Sequence, residues 1–502
     1  MTADSSFDLI SMADIARLAG EQRATVGNWK ARTPEEFPPE RGRGTRGPLY
    51  DRAEVTAWLN ATKRLKSRAP EITATWNLAH PFRGAMSTED VMPLLLALLA
   101  LKSKAPREWN RLRKASESPD LEDTFRSALH SVFPFGREVL PATRFPVSPL
   151  REAVTTLGAI DDIHVSEIAD ALLEQAATAM GHRGGEFLTP RSVRKLIVAL
   201  SDPQGVVYNP AAGVAQLMID VARNAADTPV QVLGQEINPR IWAMAQLNLA
   251  IHDVEAVVAL GDVFGDDHFP QVRADSVLCV PPWNQRLPNA DVLSGDRRWV
   301  FGEPGPHDGN AAWTQHCLAR LADNGRAVIV LPTAALFESG RAGRIRQRIV
   351  KAGLLDAVFT LPGGLFAGTA LPCAVLVFAN GRRRDGEPAP TLMVDLTELH
   401  DAVGTRGSGL SDQVINEVAS LYRAWANGRK PTVDYAAVAT FEDIATNEFV
   451  VDPGRYLSLP RTTEDVATAM RARAELVSRL TSLTNESQKA DARLLTILGE
   501  SR

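Results

Sequence analysis

Between residues 182 and 380 short apolar runs alternate with stretches of helical period. VVYNPAAG is followed by a helical stretch from Val214 to Ala226, VQVLGQE by one from Pro239 to Ile251, and RAVIVLP by one from Ala342 to Ala352. AVVALGD, DSVLCV, DAVFTLP and PCAVLVFAN complete a set of seven apolar runs. Strand and helix in alternation predict a parallel, doubly wound α/β sheet. The last two runs, Leu355 to Leu361 and Cys373 to Phe378, have no helix between them and predict a hairpin at one edge of that sheet.

The flanks differ in period. Ile10, Met12, Ile15, Ala16 and Leu18 are spaced as on a helix, Gly20 interrupts, and Thr25, Val26 and Trp29 resume the period, a helix-turn-helix pattern. A Gly-rich basic loop, RGRGTRG from Arg41 to Gly47, and a helix from Asp51 to Leu59 follow. Residues 67–181 read as helical throughout, with Ser87 and Asp90 spaced as a capping box and breaks near Pro134 and Pro146; His130 and His164 read as ordinary helix or loop residues. After GRRRDGEPAP the chain ends in a helix on which Val466, Ala469, Leu476, Leu480, Leu483, Ala490, Leu494 and Ile497 share a seven-residue register, with Arg473 and Ser487 in the seam. Such a stripe predicts pairing with another subunit or with the chain's own helices. The expected domains are therefore 1–66, 67–181, 182–400 and 401–502.

Composition narrows the class. A chain of 502 residues with 45% hydrophobic and 23% charged residues is globular and large enough for several cores. The longest apolar run, Val91 to Leu101, is about half of what a bilayer requires and contains Pro93, so no membrane span is expected. The N-terminus lacks a basic start followed by an apolar block, which predicts a cytoplasmic protein. Cys279, Cys317 and Cys373 lie far apart, so neither a disulfide framework nor a metal site is expected. A net charge of −5 excludes coating nucleic acid by bulk charge and leaves DNA contact to local basic segments.

In a doubly wound sheet ligands bind at the carboxyl ends of the strands. The turns there read Asn209-Pro210-Ala211-Ala212-Gly213, then Gly234-Gln235-Glu236-Ile237-Asn238, then Gly261-Asp262, then Val280-Pro281-Pro282-Trp283. The first offers close backbone approach and a helix N-terminus. The second places a carboxylate where a ribose diol would donate to it. Upstream stands Glu186-Phe187-Leu188-Thr189-Pro190, just before a helix.

In this order the motifs resemble the adenine-N6 DNA methyltransferases, and most closely the modification subunits of type I restriction systems. The likeness extends from Gly185 to Phe378 and includes GNAAWTQHCLARL, GRAVIVLP, FESGRAGRIRQRI and LPGGLFAGTALP. TNEFVVDPGRYL and the helical segment also look like the flanks of that domain. The resemblance implies a seven-stranded, Rossmann-like sheet that binds S-adenosylmethionine (SAM). It implies that Phe187, Thr189 and Pro190 close over the methionine end, that Asn209, Pro210 and Gly213 form the cofactor loop, that Glu236 binds the ribose, and that Asp262 binds the cofactor adenine. Val280, Pro281, Pro282 and Trp283 would form the catalytic turn, with Trp283 stacked on a flipped base. Residues 1–66 resemble winged DNA-binding domains of the MerR and excisionase type. Arg23, Thr25, Asn28, Lys30 and Arg32 would then face double-stranded DNA from the second helix, and Arg41, Arg43 and Arg46 from the wing. Only about 120 residues follow the methyltransferase segment and their end is helical, so recognition is expected to rest on a separate specificity subunit, or a homo-oligomer, joined through the C-terminal helix.

The sequence also departs from the family pattern. Asn209 replaces the leading aspartate of the SAM motif. Ala212, Gly213, Val214, Ala215 and Gln216 stand where the family has Cys-Gly-x-Gly-Gly, and Val280 stands where it has Asn, Asp or Ser. Valine offers no acceptor to the attacking amine; losing one such polar contact costs on the order of 3 kcal/mol, about a hundredfold in rate. The carbonyl of Pro281 or the side chain of Asn284 are the nearest substitutes. Two readings follow: a DNA methyltransferase of reduced rate, or an inactive pseudo-methyltransferase that binds DNA or assembles a complex. Methyl transfer to a small molecule leaves the flanking regions unexplained. Taken singly, each motif also has a plain structural reading: Trp283 as a packing residue, Asn209 and Gly213 as turn closers, Glu236 as a helix cap.

Overall fold

A computed structural model describes residues 9–12, 15–16, 19, 23–32, 37–44, 47–51, 54–55, 58–59, 62, 78–82, 84–180, 188–225, 229–287, 293–366, 371–380, 383–384, 387–397, 409–457 and 479. The heptad register from Val466 to Ile497 lies outside them, as do Phe187 and Arg46. By proximity the chain divides into two units, one of Met1–Ser87, Leu101–Ala128 and Thr143–Leu172, the other of Thr88–Ala100, Leu129–Ala142 and Leu173–Arg502.

The first unit begins with β1 (Leu9–Ser11), α1 (Arg23–Arg32), β2 (Glu40–Gly44) and β3 (Gly47–Asp51), and the strands form an antiparallel sheet in the order β1-β3-β2. Ile10 was expected on a helix, yet it lies in β1 opposite Tyr50. The basic segment from Arg41 is a strand rather than a loop, because Gly42 and Gly44 pair across to Leu49 and Gly47. Asp51 ends β3, and helical residues follow at Glu54, Val55, Trp58 and Leu59. Phe37 packs between Tyr50 and Trp58, with ring centroids 5.5 Å and 4.8 Å apart, and Ile15, Val26 and Leu59 complete a small core.

Six helices follow: α2 (Thr88–Lys104), α3 (Pro106–Lys114), α4 (Leu121–Val132), α5 (Gly136–Val139), α6 (Val147–Ala159) and α7 (Val165–Met180). They do not form a body of their own, since Thr88–Ala100 and Leu129–Ala142 group with the large sheet.

In the second unit the order is α8 (Arg191–Ser201), β4 (Gly205–Asn209), α9 (Gln216–Asn224), β5 (Val230–Glu236), α10 (Pro239–Ile251), β6 (Val257–Leu260), β7 (Ala274–Cys279), α11 (Gly309–Ala319), β8 (Leu321–Pro332), α12 (Gly340–Lys351), β9 (Leu355–Leu361) and β10 (Cys373–Ala379). A two-residue ribbon, β11 (Arg383–Arg384) with β12 (Glu387–Pro388), leads to β13 (Thr391–Asp395), α13 (Asp412–Ala426) and β14 (Ala436–Ala439). All seven predicted runs are strands, and β13 and β14 extend them to a nine-stranded sheet ordered β14-β13-β9-β10-β8-β7-β4-β5-β6.

The sheet is mixed, not wholly parallel. With only a short connection after β9, β10 must run back, and it lies antiparallel between β8 and β9. The β9–β10 pair is therefore interior rather than at an edge: β13 adds parallel to β9, and β14 closes that side. Both strands are buried on both faces, as interior strands must be. β14 also carries the sheet past residue 400, into the segment expected to be a helical tail. Helices α8, α9 and α13 cover one face through Leu196, Met218 and Val418; α11 and α12 cover the other through Trp313 and Ile345. Residues of the helical segment attach to α10, where Arg240 donates to Asp90 Oδ1 at 2.8 Å and Trp242 meets Phe135 edge-on at 5.5 Å.

Ala215, fully buried at the start of α9, has φ +61°. An L-residue in that region carries a penalty of roughly 1–2 kcal/mol, against which glycine's extra unfolded-state freedom sets about 0.4–1 kcal/mol. Ala215→Gly is therefore expected to raise unfolding stability by about 0.5–1 kcal/mol, and the β-branched Ala215→Val to lower it by more than about 1 kcal/mol. Denaturant midpoints at unchanged slope measure both.

Candidate active site

The carboxyl ends of β4, β5, β6 and β7 surround a cleft of about 220 Å³. Its wall includes Thr189, Asn209, Pro210, Gly213, Glu236, Asp262, Val280 and Pro282, so eight of the residues singled out in the sequence meet at one place. Gln216 lines the wall without filling the space.

Each position follows from local bonding. The buried Asn209 turns its side-chain oxygen onto the N–H of Ala211 at 3.1 Å, which closes the turn after β4. The next N–H, that of Ala212, donates to the carbonyl of Gln235 at 2.9 Å and ties the loop to β5. Gly213 adopts φ +54° and donates its N–H to Glu236 Oε2 at 2.9 Å. From α10, Asn248 Nδ2 donates to the carbonyl of Val214 at 2.8 Å. The loop is thus held at three points despite keeping one glycine of the family pattern.

Glu236 accepts at both oxygens, the second from the N–H of Asn238 at 2.9 Å. Burial pushes its carboxyl above the usual range, while these backbone donors pull the other way. It does not cap α10: Asn238 does, accepting from the N–H groups of Arg240 and Ile241. Beside it Ile237, 58% exposed, gives the cleft an apolar wall. Asp262 Oδ1 accepts from the N–H of Phe264 at 3.0 Å.

Thr189 also lines the cleft, and Pro190 precedes the first turn of α8. Arg194, almost fully buried, donates to the carbonyl of Thr189 and to Asp220 Oδ2, both at 2.6 Å. One guanidinium thereby joins the Thr-Pro element to α9.

The turn after β7 departs from expectation. Val280 and Pro282 line the cleft and Pro281 is buried, but Trp283 is not on its wall. Its indole N–H donates to the carbonyl of Val330 at 3.1 Å, and its ring meets Phe366 at 4.7 Å. A partly buried indole gains more from this than from facing water. Asn284, at φ +54°, does not supply the acceptor missing at Val280: it exchanges bonds with Asn310, accepting from its Nδ2 at 2.9 Å and donating backbone N–H to its Oδ1 at 3.1 Å. Gly309 permits this contact, since a Cβ there would fall 2.2 Å from the carbonyl oxygen of Gln285.

Sequence reasoning missed Gln285 and Trp313, which line the cleft and are joined by an indole N–H to Oε1 bond of 3.0 Å. It also missed Arg298, which donates to the carbonyls of Val263 and Phe264 and pairs with Asp296, fixing the segment after Asp262. Burial opposes charge on Asp296, but the guanidinium prevails and holds its carboxyl below the ordinary value. Beneath them His316 is fully buried; desolvation and then Arg298 push its imidazole well down, so it stays neutral.

The nucleic-acid candidates on the first unit divide. Asn28 and Arg32 are exposed one turn apart on α1, with Thr25 half-buried. Lys30 is engaged by Glu40 Oε1 at 2.5 Å and the Tyr50 hydroxyl at 2.8 Å, and Arg41 pairs with Glu54. Arg23 and Arg43 have a described backbone in α1 and β2.

Residues 161–465 match the family model described as N-6 DNA Methylase. The HindI methylase subunit of a type I restriction enzyme from Haemophilus influenzae is 29% identical over 350 residues, covering 67% of this chain and 77% of that one. The MjaIX methylase subunit from Methanocaldococcus jannaschii is 28% identical over 334 residues, 63% of this chain and 60% of that one. The type I restriction-modification methyltransferase subunit from Streptococcus thermophilus shares the fold, with a TM-score of 0.64 at 20% identity over 78% of this chain and 99% of that one. The family match spans more than half of the sequence, and the chain belongs to the N-6 DNA methylase family.

Proposed function

We propose that this protein is a SAM-dependent adenine-N6 DNA methyltransferase of a restriction-modification or defence system, acting as the modification subunit beside a separate specificity subunit. The observation that carries the reading is the convergence of the β4, β5, β6 and β7 turns on one open cleft with a carboxylate at its rim. The inactive-scaffold reading rests on the departures at Asn209, in the loop from Ala212 to Gln216 and at Val280; the type I methylase subunits that the chain resembles do not favour it.

The residues present fit SAM. Gly213 and its neighbours give a close backbone approach, Glu236 keeps lone pairs for a ribose diol beyond the two bonds it accepts, Ile237 offers a flat apolar surface, and Asp262 has one oxygen free of the turn bond. Thr189, Pro190 and Phe187 would close over the methionine end, and Asn209 and Pro210 shape its floor. When bound, SAM supplies an electrophilic methyl group whose bond to sulfur breaks as the bond to the adenine amino nitrogen forms.

The chain's part in that transfer is positioning. The carbonyl at Pro281 is the acceptor left for the amine proton, and Pro281 and Pro282 hold it in a stiff turn braced by Asn284–Asn310. Trp283 shapes the turn from behind. DNA would be read through Asn28, Arg32 and their neighbours in residues 1–66, and the segment beyond residue 457, whose heptad register lies outside the described residues, would be the joint to the specificity subunit or a second copy. Among the described residues no helix is long and apolar enough to cross a membrane.

Val280→Asn should restore an acceptor and raise the rate of methyl transfer to duplex DNA by roughly ten- to a hundredfold; an unchanged single-turnover rate rejects this reading of the turn. Gly309→Ala should displace Gln285 and with it the turn, lowering the single-turnover rate of methyl transfer at saturating SAM at least about tenfold. Glu236 gives a pH signature. Its ionised form accepts the ribose, so SAM affinity should fall on acidification through a value above the ordinary glutamate one of about 4.3. Its contribution to unliganded stability has the opposite sign, full at low pH and lost as pH rises through the same raised value. Calorimetry on wild type and Glu236→Gln, which should bind weakly with a flat pH profile, separates the two.

A further inference from the structure

Helix α12 carries Arg341, Arg344, Arg346, Arg348 and Lys351 and no acid. Its inner side, Ala342, Ile345, Ile349 and Val350, is buried against the sheet, and Arg346 turns inward to the carbonyls of Phe449 and Ala335. The other four cations are exposed, at spacings of three, four and three residues, which places them in one stripe about 15 Å long. None of the four has an ion pair among the described residues: Arg348 donates to the carbonyl of Phe301 at 3.1 Å, and Lys351 lies over the ring of Phe449 at 5.3 Å.

The fold does not explain this stripe. Like charges three and four residues apart repel, and Arg341 and Arg344 sit toward the helix N-terminus, where the macrodipole disfavours cations. Four aligned cations with no ion pair among the described residues, Asp308 Oδ2 lying near Arg341 at Gly305 without pairing to it, favour an external polyanion. One segment also links the stripe to the turn after β7. Gly305 lies against Arg341 and Gly302 against Arg348, where added Cβ atoms would fall 3.6 Å and 2.9 Å from the Nη1 atoms. Next to Gly305, the carbonyl of Pro306 accepts the N–H of Leu287 at 2.9 Å, in the segment that follows the Val280 turn.

We propose that the outer face of α12 is a phosphate-backbone contact that holds duplex DNA beside the cleft, separate from the N-terminal segment. The partner follows from charge complementarity: duplex DNA presents one negative charge per about 1.7 Å of axis, a continuous match for a row of cations. This rests on the methyltransferase reading only in taking DNA as the substrate. Glu303, exposed in the segment along the stripe, is an acid that opposes such contact, as is the less exposed Asp308.

The test measures binding of a fluorescent duplex oligonucleotide by the full-length protein as a function of salt, with SAM affinity measured alongside. R341Q/R344Q should weaken duplex binding at least tenfold and reduce the slope of log affinity against log salt by about two, leaving SAM affinity unchanged. Glu303→Lys should strengthen binding and steepen the slope, so a gain is tested as well as a loss. If wild type binds DNA and both variants match it, the stripe is not a DNA contact and the methyltransferase reading stands. Weakened binding of polyglutamate by R341Q/R344Q with duplex binding intact assigns the stripe to an acidic protein and overturns the proposal. Wild type that binds SAM and no duplex at low salt overturns the DNA reading and this proposal together.

Discussion

The bond from the Gly213 N–H to the Glu236 carboxylate holds the site together. It joins the loop after β4 to the end of β5, and those two neighbouring strand ends make most of the cleft. Because the half-buried carboxylate is largely desolvated, its charge is held by the backbone donors around it. The same arrangement that bends the loop therefore fixes an acceptor at the rim. A glutamine here would keep the volume and lose the charge that orders the donors.

A second layer holds the first. Arg194 joins the Thr-Pro element to α9, Asn248 holds Val214, Arg298 grips the carbonyls after Asp262, and Asn310 braces the turn after β7. Each is a long or amide side chain that satisfies loop main chain, the first three at carbonyls and Asn310 at the N–H of Asn284, so satisfying the main chain and aiming the cleft are one requirement.

This division explains what was legible in the sequence. The strand runs and the turns after them are contiguous, so VQVLGQE gives β5 and Glu236 together. The long-range supports carry no local signal: nothing around Arg298 distinguishes an arginine aimed at Val263 from one in solvent. β9 and β10 were placed at an edge because no helix separates them, although LDAVFTL and CAVLVFA lack the alternation of a strand with one wet face. The continuous apolarity was the signal for interior strands. Trp283 follows two prolines in family fashion, yet its direction depends on Phe366 and Val330, more than forty residues away in sequence. At the N-terminus, Ile10 fits helical spacing with Met12 and Ile15 on paper, but its partner is Tyr50.

The extension of the sheet by β13 and β14 bears on where the enzyme can be cut. β13 is paired on one side with β9 and on the other with β14, and Leu392, Met393 and Val394 are fully buried. A fragment ending near residue 400 would strip β14 and α13 from that margin and leave a bare apolar strand with unpaired amides, a template for association between copies. The catalytic half of the molecule thus has its soluble limit beyond Ala439, well past the last motif that touches the chemistry.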